Sequence, residues 1–158
     1  MSFGILSGAR RRDASRVSRV VSLAGVAIAA LVGLSVPGFA QDAANQDAAK
    51  MRAGRTVWAD GGCGGCHGAT GTGGVNPDQP AGPALRGTML DRAALIEATS
   101  CGKSGTQMGA WLRGAYTETA CYGAPLGPPP AETIIIGAFS AEEISAVVYY
   151  IEVQFNRR

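Results

Sequence analysis

No second histidine accompanies His67 in the 158 residues. Schemes in which several imidazoles trade protons are excluded, and the remaining titratable groups are too few to run acid and base chemistry another way. No internal repeat is visible, so the chain is not an array of small stacked units. No alternation of strand and helix patterns surrounds Cys63 and Cys66, which counts against a thioredoxin-like redox pair. An excess of positive charge is also missing where a partner would meet it. Five of the fourteen Lys and Arg (Arg10, Arg11, Arg12, Arg16 and Arg19) lie before residue 20, and residues 41–158 hold nine against eleven Asp and Glu. No basic patch for nucleic acid remains.

What the N-terminus does contain is an address. The arginine-rich start is followed by Val20 to Val36, seventeen residues without a charge, and then by Pro37-Gly38-Phe39-Ala40. Small residues at the third and first positions before Gln41 suit a signal peptidase. Residues 1–40 therefore read as a signal peptide with Gln41 as the mature start, and an uncleaved anchor is the alternative. The paired arginines lack the rest of a twin-arginine signal, so the general secretory route is expected. The remaining 118 residues suffice for one domain with a modest core.

The string Cys63-Gly64-Gly65-Cys66-His67 organises that domain. Two cysteines three apart can reach both vinyl groups of one porphyrin edge, and the adjacent imidazole is then placed to bind the iron. One covalently attached haem c, held by Cys63 and Cys66 with His67 on the metal, is the reading. A flat cofactor at the centre also relaxes the need for many large apolar side chains. The rival is a zinc site of four thiolates, completed by Cys101 and Cys121. If Cys63 and Cys66 are used by haem, Cys101 and Cys121 are left in an oxidising compartment, where a disulfide between them is expected.

Along the mature chain, Gln41 to Lys50 is small and polar, and residues 41–47 read as a flexible tether or a frayed helix start. From about Ala48 to Asp60, Met51, Gly54, Val57 and Trp58 share one helical face, and Gly61-Gly62 ends the helix. The glycine-rich stretch that follows reads as a loop carrying the haem motif. Asp91 to Thr99 reads as a helix with Leu95 and Ile96 inward and Thr88 as its cap. Residues 113–139 form a long connection that contains Pro128-Pro129-Pro130, read as a surface turn, and the apolar run Ile134-Ile135-Ile136. Ser140 with Glu143 is a capping box, and Ile144, Val147, Val148 and Ile151 make an apolar stripe to about Phe155.

With these motifs in this order, residues 48–158 resemble the small class I cytochromes c. The resemblance implies an all-α domain of three to five helices around one haem, with an irregular, disulfide-stapled insertion before the C-terminal helix. Gly54 and Trp58 look like the glycine and aromatic of the family's first helix, and Tyr150 like the aromatic of its last. Gly82-Pro83-Ala84-Leu85 is similar to the G-P-x-L segment, which implies that the Pro83 carbonyl accepts from His67 and that Leu85 packs on the haem. Met108 looks like the axial methionine, a soft thioether that raises the potential. Met89 then suits core filling. Gly109 stands where many relatives have proline, and Trp111 is placed to shield the haem edge or bond a propionate.

The pair Cys101 and Cys121, with Ala115-Tyr116-Thr117 and Cys121-Tyr122-Gly123, further resembles alphaproteobacterial periplasmic cytochromes with an enlarged Met loop. Such a resemblance implies a carrier of single electrons in the bacterial periplasm, not an enzyme, accepting from a periplasmic dehydrogenase and passing to a partner such as a terminal oxidase. Two alternatives remain: a cytochrome subunit bound permanently in an oxidoreductase complex through residues 113–139, and a haem sensor with an open iron.

Overall fold

The computed structural model describes residues 37–74 and 77–156. The expected signal peptide, residues 1–40, lies outside them as far as residue 36. The chain divides into two units after Gln41, and the site belongs to the second, residues 42–158.

Helix α1 spans Pro37–Asp60. Residues 41–47 continue it as exposed helix, in keeping with the helix-start alternative to a tether; the segment is rich in alanine, which gives up no side-chain entropy on becoming helical. The expected face is the buried one: Gly54, Val57 and Trp58 are covered and Met51 is half-covered. A methyl group at Gly54 would lie 2.1 Å from the Ala146 carbonyl oxygen and 2.7 Å from the Tyr150 Cβ. Only glycine lets the backbone of α1 meet the C-terminal helix at that distance.

α1 stops at Asp60 because Gly61 and Gly62 turn the chain, Gly61 N–H donating to the Val57 carbonyl at 2.9 Å and Gly62 adopting a left-handed φ of 62°. The haem motif then forms its own short helix, α2, Cys63–His67, where a loop was expected. Helix α3 spans Arg92–Cys101. Its cap is Asp91, whose Oδ1 accepts from Ala94 N–H at 2.8 Å, and not Thr88. A capping side chain has to stand directly before the first helical residue to reach the orphan amides, and Thr88 instead accepts from Leu90 N–H at 3.3 Å.

Strands β1, Ala110–Leu112, and β2, Ile135–Phe139, pair in parallel. The expectation of an all-α domain is thus corrected to a mostly helical one with a two-stranded pair. The physical reason is β-branched Ile135 and Ile136, which favour extended backbone and lie beside the segment after Met108. The pairing is irregular, since Ala110 faces Ile135 while Leu112 faces Phe139. Helix α4, Ala141–Phe155, opens with the expected capping box: Ser140 Oγ accepts from Glu143 N–H at 3.3 Å and Glu143 Oε2 accepts from Ser140 N–H at 2.7 Å.

The core has two parts. Val57, Trp58, Val147, Ile151 and Phe155 pack at the crossing of α1 and α4, with Leu85, Cys63 and Tyr150 against them. Cys101, Ala110, Leu112, Ala115, Tyr116, Cys121 and Ile144 form the other, so Ala115, Tyr116 and Cys121 of the insertion are buried together with the end of α3, β1 and α4. Phe139 packs against both. Arg92 pairs with Glu152 and donates to the Ser145 carbonyl at 3.2 Å, which ties α3 to α4. No helix among the described residues is long and apolar enough to cross a membrane.

Candidate functional site

Helix α2 holds Cys63, Cys66 and His67 within five residues, each half-buried, and both thiols are free. The segment after it folds back as a belt. Gly82 N–H donates to the Cys66 carbonyl at 2.7 Å, Gly73 N–H to the His67 carbonyl at 2.9 Å, and Leu85 N–H to the Gly71 carbonyl at 2.9 Å. This return places Pro83 beside the imidazole, with His67 Nδ1 at 2.9 Å from the Pro83 carbonyl oxygen. A carbonyl can only accept, so Nδ1 carries the proton and Nε2 keeps its lone pair. A metal would meet Nε2.

The belt leaves no room for side chains. A methyl group at Gly82 would sit 3.0 Å from His67 Nδ1 and 2.9 Å from the Cys66 carbonyl oxygen, so the backbone itself walls this side of the imidazole. Burial pushes the Cys63 thiol up to about 11. The attacking cysteine of a thioredoxin-like pair needs the opposite shift, toward an available thiolate, so that reading fails on chemistry as well as on fold. The four-thiolate zinc reading fails too. The sulfurs of Cys101 and Cys121 lie 2.05 Å apart, which withdraws both as ligands, and among the described residues no group of three or more His, Cys, Asp or Glu is arranged to hold a metal.

Met108 is half-buried immediately before β1. Its carbonyl accepts from Lys103 N–H at 2.7 Å and its N–H donates to Thr106 Oγ1 at 3.1 Å. Met89, expected to fill the core, is instead 84% exposed on the irregular stretch before α3. Gly109 has a structural reason of its own: a Cβ there would lie 2.7 Å from Ile136 Cδ1, so the side chain of β2 occupies the space that a proline ring would need. Leu85 is half-buried against the Trp58 cluster, and Trp111 stacks on Phe139 with centroids 5.5 Å apart.

Around Met108 the disulfide is the expected one, and the residues that sequence reasoning missed join it from the insertion. Its outgoing arm is fastened by the disulfide, by Tyr116 Oη donating to the Cys101 carbonyl at 3.0 Å, and by Tyr122 Oη donating to the Gly102 carbonyl at 2.5 Å. Its returning arm is fastened by Ser104 Oγ donating to the Ala131 carbonyl at 2.6 Å and by Ala110 N–H donating to the Ile134 carbonyl at 2.7 Å. Gly105 and the unusual left-handed backbone of Tyr116, Tyr122 and Glu132 were the available signals only in part, since non-glycine residues do not advertise such a φ.

The arrangement defines a haem-binding class of protein: paired thiols, an oriented imidazole and glycine backbone close around them. The Cytochrome c family model matches residues 51–154, and the chain belongs to that family. Membership brings haem binding and, with it, single-electron transfer. No curated protein and no solved structure matches the chain.

The donor set fits a haem. Cys63 and Cys66 would hold it through their sulfurs and His67 would meet the iron through Nε2.

Proposed function

We propose that this chain is a periplasmic, monohaem class I cytochrome c that carries single electrons between protein partners and is not an enzyme. The observation that carries the reading is the bond from His67 Nδ1–H to the Pro83 carbonyl at 2.9 Å, inside a C-x-x-C-H string. That bond holds the ring's orientation and makes Nε2 a better donor, which an electron carrier needs in both oxidation states. The bound haem supplies a one-electron couple. Cys63 and Cys66 would anchor it covalently, Met108 would supply a second, thioether ligand, Leu85 would keep water from it, and Trp111 would cover it on that side. The donor is a periplasmic dehydrogenase and the acceptor a redox protein such as a terminal oxidase. Residues 1–40 serve as the export signal.

The test is purification of the mature protein from periplasm, followed by acid-acetone extraction and optical spectra. Haem that stays with the protein and a reduced form that is six-coordinate, low-spin and slow to bind carbon monoxide support the carrier. Extractable haem refutes the covalent reading, and fast carbon monoxide binding moves the assignment to a sensor with an open iron. A second reading, a subunit bound permanently in an oxidoreductase complex, is favoured by exposed Leu126, Ile134, Ile135 and Ile136 on the insertion, each at least 40% exposed. Size exclusion of native extract separates the two, because a carrier elutes alone.

A further inference from the structure

The loop from Lys103 to Met108 is closed on itself by four bonds, one of them from Thr106 N–H to the Lys103 carbonyl at 3.1 Å. Lys103 N–H donates to the Met108 carbonyl at 2.7 Å, Met108 N–H donates to Thr106 Oγ1 at 3.1 Å, and the same hydroxyl donates to the Lys103 carbonyl at 2.7 Å. A hydroxyl has one proton to give and lone pairs to receive with, so both Thr106 bonds exist together. Thr106 is exposed, and nothing in its burial accounts for it. Its hydroxyl works as a strut across the loop, joining the residue that enters it to the residue that leaves it. The strut matters because Gly105 on one side, at a φ of 72°, and Gly109 on the other give the loop two permissive joints.

We propose that Thr106 is the positioning residue for Met108: its hydroxyl fixes the backbone from which the thioether projects, and so sets how often that weak ligand leaves the iron. The inference rests on Met108 being the axial ligand. A thioether is neutral and soft and binds oxidised iron weakly, so the population with sulfur detached depends on how much loop freedom is released on detachment. Loss of both hydroxyl bonds raises that freedom. Retention of the hydroxyl without the methyl does not.

The experiment uses oxidised holoprotein in three forms: wild type, Thr106→Val and Thr106→Ser. Imidazole is the probe, titrated while the weak near-infrared sulfur-to-iron band is followed, and far-UV circular dichroism reports global folding. Thr106→Val is expected to bind imidazole roughly tenfold more tightly than wild type, the effect of two modest hydrogen bonds. Thr106→Ser is expected to stay near wild type, and the circular dichroism melts of all three are expected to coincide. Equal imidazole affinity in Thr106→Val and wild type overturns the proposal. So does a Thr106→Ser protein that behaves like Thr106→Val, since the methyl group would then be what matters. If Thr106→Val gives no holoprotein, Thr106→Ala reads the same two bonds. Absence of the band from wild type overturns the Met108 assignment itself, and is distinguishable because it appears before any substitution is made.

Discussion

The two sides of the site are built by opposite means. On the imidazole side, the motif Cys63 to His67 is followed closely in sequence by its belt, residues 68–74 and 77–86, and main-chain hydrogen bonds between glycine-rich segments do the positioning. On the thioether side, the loop 102–109 is short and closes on itself through Lys103, Thr106 and Met108, and distant residues hold it and Cys101 at its entrance as well: Cys121, Tyr116 and Tyr122 from one arm of the insertion, Ala131, Ile134 and Ile136 from the other. On the proposed assignment, the strong, directional ligand would be placed by local backbone. The weak one would be given tertiary restraint from both directions, which limits the freedom it would gain by letting go.

The sharpest way to break the comparison is to remove the ligand chemistry of each side in turn. Cys63→Ser with Cys66→Ser is expected to leave almost no holoprotein, whereas Met108→Ala is expected to retain covalent haem and lose only the sulfur-to-iron band. Haem content after acid-acetone extraction, with the near-infrared spectrum, reads both. Loss of haem from Met108→Ala would mean that the two sides are not independent.

Next in size is Gly54→Ala, which tests the frame behind the imidazole side. The new methyl would lie 2.1 Å from a main-chain oxygen of α4, which cannot yield as a side-chain tip does. A loss of about 3 kcal/mol is expected in urea unfolding, the upper end of ordinary overpacking. A loss under about 0.5 kcal/mol would show that α1 and α4 do not cross there.

The thioether side has its counterpart in Cys101→Ser with Cys121→Ser. Cutting a link between residues separated by 20 in sequence is expected to cost about 2–3 kcal/mol of stability. Both cysteines are almost fully buried, so the effect is structural and reduction from solvent is slow in the folded protein. The band of Met108 is expected to disappear at a lower temperature than in wild type while covalent haem remains. Simultaneous loss of band and fold in both proteins would sink the idea that the staple serves this loop.

The smallest effect concerns the cap of α4, common to both sides. Ser140→Ala is expected to cost about 1 kcal/mol. The Ser140 backbone N–H and hydroxyl region, with Arg113 at 3.2 Å, holds the Glu143 carboxyl below its ordinary value of 4.5. A depressed folded-state value means that the carboxylate's contribution is complete above the ordinary value and is lost as pH falls through the folded one. Wild type and Glu143→Gln should therefore converge in stability on acidification below about pH 4.5. A stability gap that stays constant through that range would remove Glu143 from the cap.

Much of this was legible in the chain because the physics was short-ranged. A C-x-x-C-H string needs only consecutive residues, the Ser140 and Glu143 box spans a single turn, and the stripe Met51, Gly54, Val57 and Trp58 repeats at the helical period. The helix cap at Asp91 was misplaced to Thr88 because both residue types cap well and only the point where the chain turns helical chooses between them. Met89 was assigned to the core because its apolar character carries no record of direction, and it points outward.

The sequence by itself determined the attachment motif and the apolar faces of the two well-patterned helices α1 and α4, since each depends on residues within a few turns of one another. The pairing of Cys101 with Cys121 was expected, but tertiary structure alone decided how the returning arm reaches the segment around Met108. The bonds that fasten that arm join residues more than 20 apart, Ser104 to Ala131 and Ala110 to Ile134. A parallel strand pair can form only after the chain has travelled out and back, and no local pattern announces which stretch will return. Gly109 makes the point in one residue: from sequence it is a missing proline, and in the folded chain it is the space that Ile136 fills.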